Sequence, residues 1–202
     1  MPVENIYIKG NRIISDDEIL EMSSLNEYPS FLLTKKKEIK TSLKKNPYIK
    51  DVKISKKLGN RIELEVEEYQ VVALTKEEKI ILSNAKELDN IYELNDVPIL
   101  INEIENQKIY QNFARKFGQI DTDILRQISE IEYSPVSVDD ERFLLYMNDG
   151  NLVYITLTKI NKLNKYDRIK DQLSGQHGII YLDSGDYVEL KNETIPSIDE
   201  TE

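Results

Sequence analysis

The sequence lacks residues on which several classes of protein depend. Among its 202 residues there is no cysteine, no tryptophan and only one histidine. Without cysteine the chain has no disulfide, no catalytic thiolate and no cysteine-ligated zinc site. Such a composition suits a reducing compartment and equally a cell surface whose proteins avoid thiols, so the compartment stays open on this evidence.

Long apolar segments are missing as well. No run approaches the roughly 18 apolar residues that a membrane-spanning helix needs, and the N-terminal segment MPVENIYIKGN lacks the charged head and apolar middle of a signal peptide. The residues given are therefore expected to be soluble, with any membrane attachment lying outside them. Their number predicts one large or two small globular domains.

The few groups that could carry chemistry are isolated. His177, the only histidine, lies in a loop between a predicted helix and a predicted strand, with no second histidine to build a metal site or a triad. The carboxylates of residues 139–141, Asp183 and Asp186 fall in turns, where acidic residues are usually solvated. Phosphate loops, GxSxG, HExxH and EF-hand spacings are all absent. We therefore predict no enzyme activity, no cofactor and no metal.

Charge is unevenly distributed along the chain. The net charge of −10 argues against nucleic acid as the partner, yet residues 35–61 contain eleven lysines and arginines against only Glu38 and Asp51. The basic stretch is either an ordinary solvated face or a surface that attracts anionic lipid headgroups or an acidic partner. The helix lysines concerned, unmatched by acidic residues in the sequence, are Lys36, Lys37, Lys40 and Lys44.

The first seventy residues predict a small α/β unit. Residues 5–10 alternate as a strand does, and Ser15 and Glu18 have the spacing of a capping box that begins a helix. A second helical stripe of Leu32, Ile39 and Leu43 ends at Asn46-Pro47. Two alternating strands follow, in which outward lysines of the first face Glu63, Glu65 and Glu67 of the second across a turn at residues 57–60. The order predicts two helices on one face of a three-stranded sheet.

The remaining residues alternate between hairpins and helices. A helix is predicted through Ile109, Phe113 and Phe117, closed by Gly118 at its C′ position. The other predicted elements are a hairpin over 71–83, a short strand over 97–101, a helical piece with Ile124, Leu125, Ile128 and Ile131, a hairpin over 142–157 with a type I′ turn at Asp149-Gly150, a helix over 160–173 and a strand pair over 178–190. Tyr146 and Tyr154 in the long hairpin are either cross-strand packing residues or part of a binding surface.

Several of these stretches resemble a known family. The opening IYIKGNRIISDDEI, the segment NPYIKDVKI and the strand IELEVEE resemble, in this order and spacing, a POTRA domain. Their continuation into YQVVAL, the later Asp-Gly hairpin and the GIIYLDSG segment resemble the FtsQ/DivIB family of bacterial cell-division proteins. One departure is Leu58-Gly59, where the family commonly has a proline in the hairpin turn.

The resemblance implies an α+β fold with two domains. Residues 1–70 are expected to form a POTRA-type β-α-α-β-β domain, and residues 71–191 a mixed α/β domain of the division-protein type with a largely antiparallel sheet. Residues 192–202 are expected to be an acidic, disordered tail.

The resemblance also implies a function without catalysis. It describes the extracytoplasmic part of a bitopic protein, with a transmembrane helix before residue 1, that acts at the septum and helps regulate septal peptidoglycan synthesis. The implied partners are FtsL-like and DivIC/FtsB-like coiled-coil proteins, and septal peptidoglycan synthases. Family members bind a coiled-coil partner by adding its segment to the last strands, which here implicates Tyr181, Asp183, Tyr187, Val188 and Leu190.

Two alternatives remain at this point. The chain is also compatible with a POTRA-bearing subunit of another membrane assembly, such as protein export or outer-membrane barrel insertion, although only one copy of the Gly-Asn-Ser-x-x-Glu signature is present. The terminal strand over 186–191 is either an open sheet edge or a strand capped by the tail.

Overall fold

The computed structural model describes residues 1–190, which fold as two compact units. The first unit is Met1–Gln70, and the second begins at Val71. Both combine helices with sheet, so the predicted α+β fold class is confirmed. The predicted acidic tail, residues 192–202, lies outside the described residues.

The first unit is built on a three-stranded sheet. Its elements are strand β1 (Asn5–Lys9), helices α1 (Asp16–Met22) and α2 (Lys36–Leu43), and strands β2 (Ile49–Lys57) and β3 (Arg61–Glu68). The strand order is β1-β3-β2, with β1 parallel and β2 antiparallel to β3. Alternation along β3 buries Ile62, Leu64 and Val66 and leaves the intervening glutamates facing water.

The two helices of the first unit begin differently. Helix α1 has the predicted capping box, since Glu18 N–H donates to Ser15 Oγ at 3.2 Å and Ser15 N–H donates to Glu18 Oε2 at 3.1 Å. Helix α2 begins only at Lys36, and the prediction that Leu32 belongs to its buried stripe is wrong. The chain first makes a separate turn, in which Thr34 N–H donates to Ser30 O at 3.0 Å, so Leu32 lies outside the helical periodicity.

The loop before α1 is anchored by a carboxylate from the end of β3. Glu68 accepts hydrogen bonds from three successive backbone N–H groups, those of Arg12 (3.1 Å), Ile13 (3.0 Å) and Ile14 (3.0 Å). Next to this loop, Gly10 has φ +90°, and a Cβ there would lie 2.3 Å from Val66 O. Only glycine fits this approach of the loop to β3.

Replacing Glu68 with alanine is expected to lower the free energy of unfolding by about 1–2 kcal/mol, because three N–H groups lose their acceptor. The neighbouring Glu67 is a matched control, since its carboxylate makes a surface ion pair with Lys50 at 2.6 Å. Such pairs contribute at most about 1 kcal/mol. Urea unfolding of both variants measures the difference, and equal losses would contradict the anchoring role of Glu68.

The second unit is organised around a nine-stranded mixed sheet. Its strands are β4 (Val71–Leu74), β5 (Ile80–Leu82), β6 (Glu87–Leu88), β7 (Ile99–Leu100), β8 (Ile128–Tyr133), β9 (Arg142–Met147), β10 (Leu152–Thr156), β11 (Gly178–Tyr181) and β12 (Tyr187–Leu190). Their order is β12-β11-β10-β9-β8-β7-β4-β5-β6. Pairing is antiparallel except for β4–β7, β7–β8 and β10–β11, so the predicted largely antiparallel sheet is confirmed.

Helices pack on this sheet around an aromatic cluster. They are α3 (Gln107–Phe117), α4 (Thr122–Leu125), a 3₁₀ helix (Leu157–Lys165) and α5 (Tyr166–Gln172). Phe143 of β9 stacks on Phe113 of α3 with ring centres 5.3 Å apart, and Phe117 approaches both rings. Gly118 ends α3 with an ordinary φ of −65°, so its predicted left-handed C′ role is wrong. Glycine is required there because a Cβ would lie 2.4 Å from that of Ser83.

Three other local predictions for the second unit are corrected. Ile128 and Ile131 belong to strand β8, because a bulge between Ile128 and Glu130 lets two residues three apart face the same core. The Asp149-Gly150 loop is a type I turn followed by a left-handed glycine, since Gly150 N–H donates to Met147 O at 3.0 Å and only Gly150 has positive φ. The helix predicted over 160–173 begins in the 3₁₀ segment.

Candidate partner-binding edge

Strand β12 is the outermost strand at one end of the nine-stranded sheet. It pairs with β11 in the register Tyr181↔Tyr187 and Gly178↔Leu190. Among residues 1–190 no strand pairs with its other side. Lys191, with which the sequence predicted this strand to end, lies outside the described range.

The hydrogen-bonding direction of β12 follows from its neighbours. Leu182 N–H donates to Tyr154 O of β10 at 2.8 Å, so alternate residues of β11 direct their backbone groups toward β10. Tyr181 therefore faces β12 and exchanges hydrogen bonds with the opposite residue, Tyr187. By the same alternation, the N–H and C=O groups of Val188 point away from β11, toward the open edge.

A column of stacked side chains crosses the sheet to this edge. The guanidinium of Arg142 on β9 lies 3.7 Å from the ring centre of Tyr154 on β10. Tyr154 stacks on Tyr181 of β11 at 5.4 Å, and Tyr181 stacks on Tyr187 of β12 at 4.5 Å. We call these four residues the tyrosine column. It ends at the half-exposed ring of Tyr187, so the edge presents an aromatic surface beside its free backbone groups.

Arg142 also holds the loop that joins β11 to β12. Its Nε donates to Asp183 Oδ2 at 2.7 Å, in a pair whose side chains are only 15% and 10% exposed. Burial alone would raise the pKa of Asp183, but hydrogen bonds from Arg142 and Ser184 outweigh burial and hold this pKa below its usual value. Lys159 donates to the carbonyl of Asp183 at 2.6 Å. The loop is therefore fixed from both sides.

The five residues implicated by the sequence are close in the chain but differ in accessibility. Tyr187 and Leu190 are exposed on β12, while Val188 packs against the core and Tyr181 lies between two rings. The carboxylate of Asp183 forms an ion pair with Arg142. Sequence reasoning missed Arg142 and left Tyr154 undecided. The one available signal was alternation in the long hairpin. Arg142 lies opposite Thr156, and Tyr154 is two residues from Thr156 on the same strand, so Arg142 and Tyr154 are diagonal neighbours on one face.

The lysines of the first unit are partly paired. On the sheet, Lys53 and Lys57 lie 3.9 and 3.5 Å from Glu65 and Glu63 respectively, which matches the predicted arrangement of the strands. At the C-terminal end of helix α2, Lys40 lies 2.6 Å and the capping residue Lys44 lies 3.8 Å from Asp51 of β2. The interpretation that all four helix lysines are unmatched is therefore wrong for these two, because the fold brings α2 against β2. For Lys36 and Lys37, no acidic group lies within ion-pair distance in the described part of the chain.

His177 is the one histidine among residues 1–190. His177 follows the turn after α5, and its ring lies 4.0 Å from the position of a Cβ on Gly150. No grouping of three or more histidine, aspartate or glutamate side chains suited to a metal ion occurs in this range. Within the same range, no helix has the length and apolarity to cross a bilayer.

Comparison with known proteins covers nearly the whole chain. A family model described as "POTRA domain, FtsQ-type" matches residues 1–69. The chain is 32% identical over 194 residues to "Cell division protein DivIB" of Bacillus subtilis, covering 93% of this chain and 73% of that protein. It is 27% identical over 195 residues to the protein of the same name from Listeria monocytogenes, covering 92% and 71% respectively.

Among solved structures, the major extracytoplasmic domain of the division protein DivIB from Geobacillus stearothermophilus matches with a TM-score of 0.44 and 23% identity. That match covers 54% of this chain and 96% of the other.

Proposed function

Because the chain belongs to the DivIB family of cell division proteins, we propose that it acts as a non-enzymatic scaffold that captures coiled-coil division partners on strand β12. A role in cell division follows from the family itself. The partners proposed are FtsL-like and DivIC/FtsB-like proteins. Through them the scaffold would help to regulate the septal peptidoglycan synthases.

The observation that carries this proposal is the open backbone edge of β12. Val188 offers an N–H and a C=O away from β11, and the exposed Tyr187 and Leu190 flank it. A partner segment that adds a strand here gains main-chain hydrogen bonds, and the alternate side chains supply specificity. The tyrosine column and the Arg142–Asp183 pair hold the edge in place beforehand, which reduces the entropy lost on binding.

The proposed location is the extracytoplasmic face of the bacterial membrane at the division septum, with a membrane anchor outside the residues given. We propose the domain bounds 1–70, 71–191 and 192–202 as the POTRA domain, the partner-binding domain and the tail. The Bacillus subtilis and Listeria monocytogenes relatives, which match over more than nine tenths of the chain, are both named cell division proteins, which favours this function over export or barrel insertion.

Replacing Val188 with proline tests the edge directly. Proline removes one outward N–H and places its ring where a new strand would pair, while no hydrogen bond to β11 is lost. We expect capture of the DivIC/FtsB-like partner from the same organism to fall at least tenfold in a purified binding assay.

The matched control is Val188→Ala, which removes at least as much of the side-chain packing as proline does but keeps the N–H group. Alanine is expected to retain capture within about threefold, since the outward hydrogen bond remains. If the proline variant is folded by circular dichroism and still captures the partner as the alanine variant does, the β12 proposal is wrong.

A further inference from the structure

Three leucines of the first unit are exposed to an unusual degree. Leu32 and Leu33, in the turn before α2, are 81% and 78% exposed, and Leu58, in the turn between β2 and β3, is 98% exposed. Single exposed leucines are common on protein surfaces. A group of them at one end of a domain is not, and we call these three residues the leucine tip.

The two turns that carry the leucine tip lie at the same end of the unit. Lys56, at the end of β2, donates to the carbonyl of Phe31 at 2.5 Å, and its ammonium lies 4.8 Å from the Phe31 ring. The residues that precede β1 join the two turns, since Phe31 N–H donates to Met1 O and Glu4 N–H donates to Asn60 O, each at 3.0 Å. Both turns that carry the leucines therefore adjoin the first residues of the chain.

The turn before α2 is held by hydrogen bonds rather than left to fray. Thr34 donates to Ser30 O from both its N–H and its hydroxyl, at 3.0 and 2.8 Å, and Val3 N–H donates to Pro29 O at 2.9 Å. Leu32 and Leu33 are thus presented outward by a defined backbone. They do not fold back onto the apolar core of the unit, although they lie only a few residues from it in the sequence.

Basic residues adjoin the tip on both turns. Lys35, Lys36 and Lys37 follow Leu33, and Lys56 and Lys57 precede Leu58. Lys35 pairs with Glu38 at 2.8 Å and Lys57 with Glu63 at 3.5 Å. Lys36 and Lys37 have no such partner among the described residues, and Lys37 lines an open hollow of about 830 Å³ beside Leu33. Apolar side chains with unpaired lysines beside them complement the interface of an anionic bilayer.

We propose that the leucine tip inserts into the interfacial layer of an anionic membrane while Lys36 and Lys37 contact lipid phosphates. The inference rests on the proposed membrane location of the protein, and it adds a surface distinct from β12. Inserting three leucines gives weak binding by itself. For a protein held at the membrane by an anchor, such a contact sets the orientation of the first unit on the bilayer.

The absence of tryptophan from the chain allows a direct test. Leu33→Trp and Leu58→Trp each introduce a single reporter, and Val138→Trp, at a 92% exposed position of the second unit, is the matched control. With millimolar vesicles of phosphatidylcholine and phosphatidylglycerol, we expect a blue-shifted emission and quenching by brominated acyl chains for the two tip reporters only. Unshifted tip reporters, or an equal shift of the control, would overturn the proposal.

A second pair of variants tests the role of charge. Lys36→Gln with Lys37→Gln removes two unpaired lysines from the start of α2. Lys40→Gln with Lys44→Gln removes two lysines from its C-terminal end, both of which pair with Asp51 of β2. A lysine near an anionic surface contributes roughly fivefold to binding, so the first pair is expected to weaken vesicle binding by roughly 25-fold and the second by much less. Equal effects, or equal binding to pure phosphatidylcholine, would refute the headgroup contact.

The proposed membrane contact of the leucine tip and the proposed partner binding at β12 can be tested separately. Leu33→Asp is expected to abolish the vesicle response without changing partner capture, and Val188→Pro is expected to do the reverse. Loss of capture in Leu33→Asp would assign the tip to a protein partner and overturn its assignment to lipid. If the tip reporters do not respond to vesicles while partner capture is normal, only the proposed membrane contact is wrong.

Discussion

Replacing Arg142 with methionine is expected to lower the free energy of unfolding by roughly 3–5 kcal/mol, the usual cost of removing one partner from a buried ion pair. The variant leaves the carboxylate of Asp183, only 10% exposed, without its strongest hydrogen-bond donor. It also removes the cation from the face of Tyr154. Urea unfolding followed by circular dichroism measures the loss.

The pH dependence of this variant separates the ion pair from simple packing. The pKa of Asp183 is lowered in the folded state, so the pair stabilises the protein above the unfolded pKa of about 3.9 and ceases to do so as the pH falls through the folded value. In the variant, burial without Arg142 raises the pKa of Asp183, so the stability difference between wild type and variant should shrink progressively as the pH is lowered, beginning above about pH 4. A difference that is the same at pH 7 and pH 3 would assign the effect to packing.

Arg142→Lys is the conservative control. Lysine keeps the charge but cannot reproduce the planar stacking on Tyr154 or the forked geometry of the guanidinium. We expect it to restore only part of the stability. Complete restoration would mean that charge alone accounts for the role of Arg142.

Replacing Asn151 with alanine is the second variant with a large expected effect, about 3 kcal/mol. This buried amide donates to Tyr166 Oη at 2.9 Å, and its Oδ1 accepts from Gly178 N–H at 2.9 Å. Asn151 thus links the hairpin turn, helix α5 and the first residue of β11. Alanine leaves the N–H of Gly178 buried and unpaired, which costs about 1–3 kcal/mol before the other lost contacts are counted.

Tyr166→Phe is the comparison for Asn151. The tyrosine hydroxyl also donates to Asp149, with Oη 2.9 Å from both carboxylate oxygens, but removing it spares the Gly178 contact. Thermal unfolding should rank wild type above Tyr166→Phe and both above Asn151→Ala. An alanine variant as stable as the phenylalanine variant would contradict the linking role of Asn151.

The parts of the fold that depend on neighbouring residues could be predicted from the sequence. Ser15 and Glu18 form the predicted capping box, and alternation in β3 places its glutamates on the same face of the sheet as the lysines of β2, with Glu65 directly opposite Lys53. Ile128 and Ile131 were misassigned because a bulge in a strand reproduces helical spacing, and nothing in the local sequence distinguishes the two. The exposure of Leu32 likewise depends on a turn whose hydrogen bonds the periodicity does not reveal.

Less of the candidate partner-binding edge could be predicted from the sequence. The resemblance named residues on the last strands, but strand order depends on long-range pairing that local patterns do not encode. Arg142 and Asp183 are 41 positions apart, and Glu68 contacts a loop more than fifty residues earlier. These contacts exist only once the sheets have assembled, which is why sequence reasoning missed Arg142 and the anchoring role of Glu68.

The parallel junction between β10 and β11 has a consequence for motion. In the strand pairing, only three residue pairs, Leu152↔Ile179 to Tyr154↔Tyr181, join β11 to β10. When this short pairing and the Arg142–Asp183 contact break together, the hairpin opens as a local cooperative unit below the free energy of global unfolding. Amide hydrogens of β11 and β12 would then exchange before those of β8 and β9. A strand added at β12 would slow that exchange, so that occupancy of the edge becomes measurable at amides that the partner never touches.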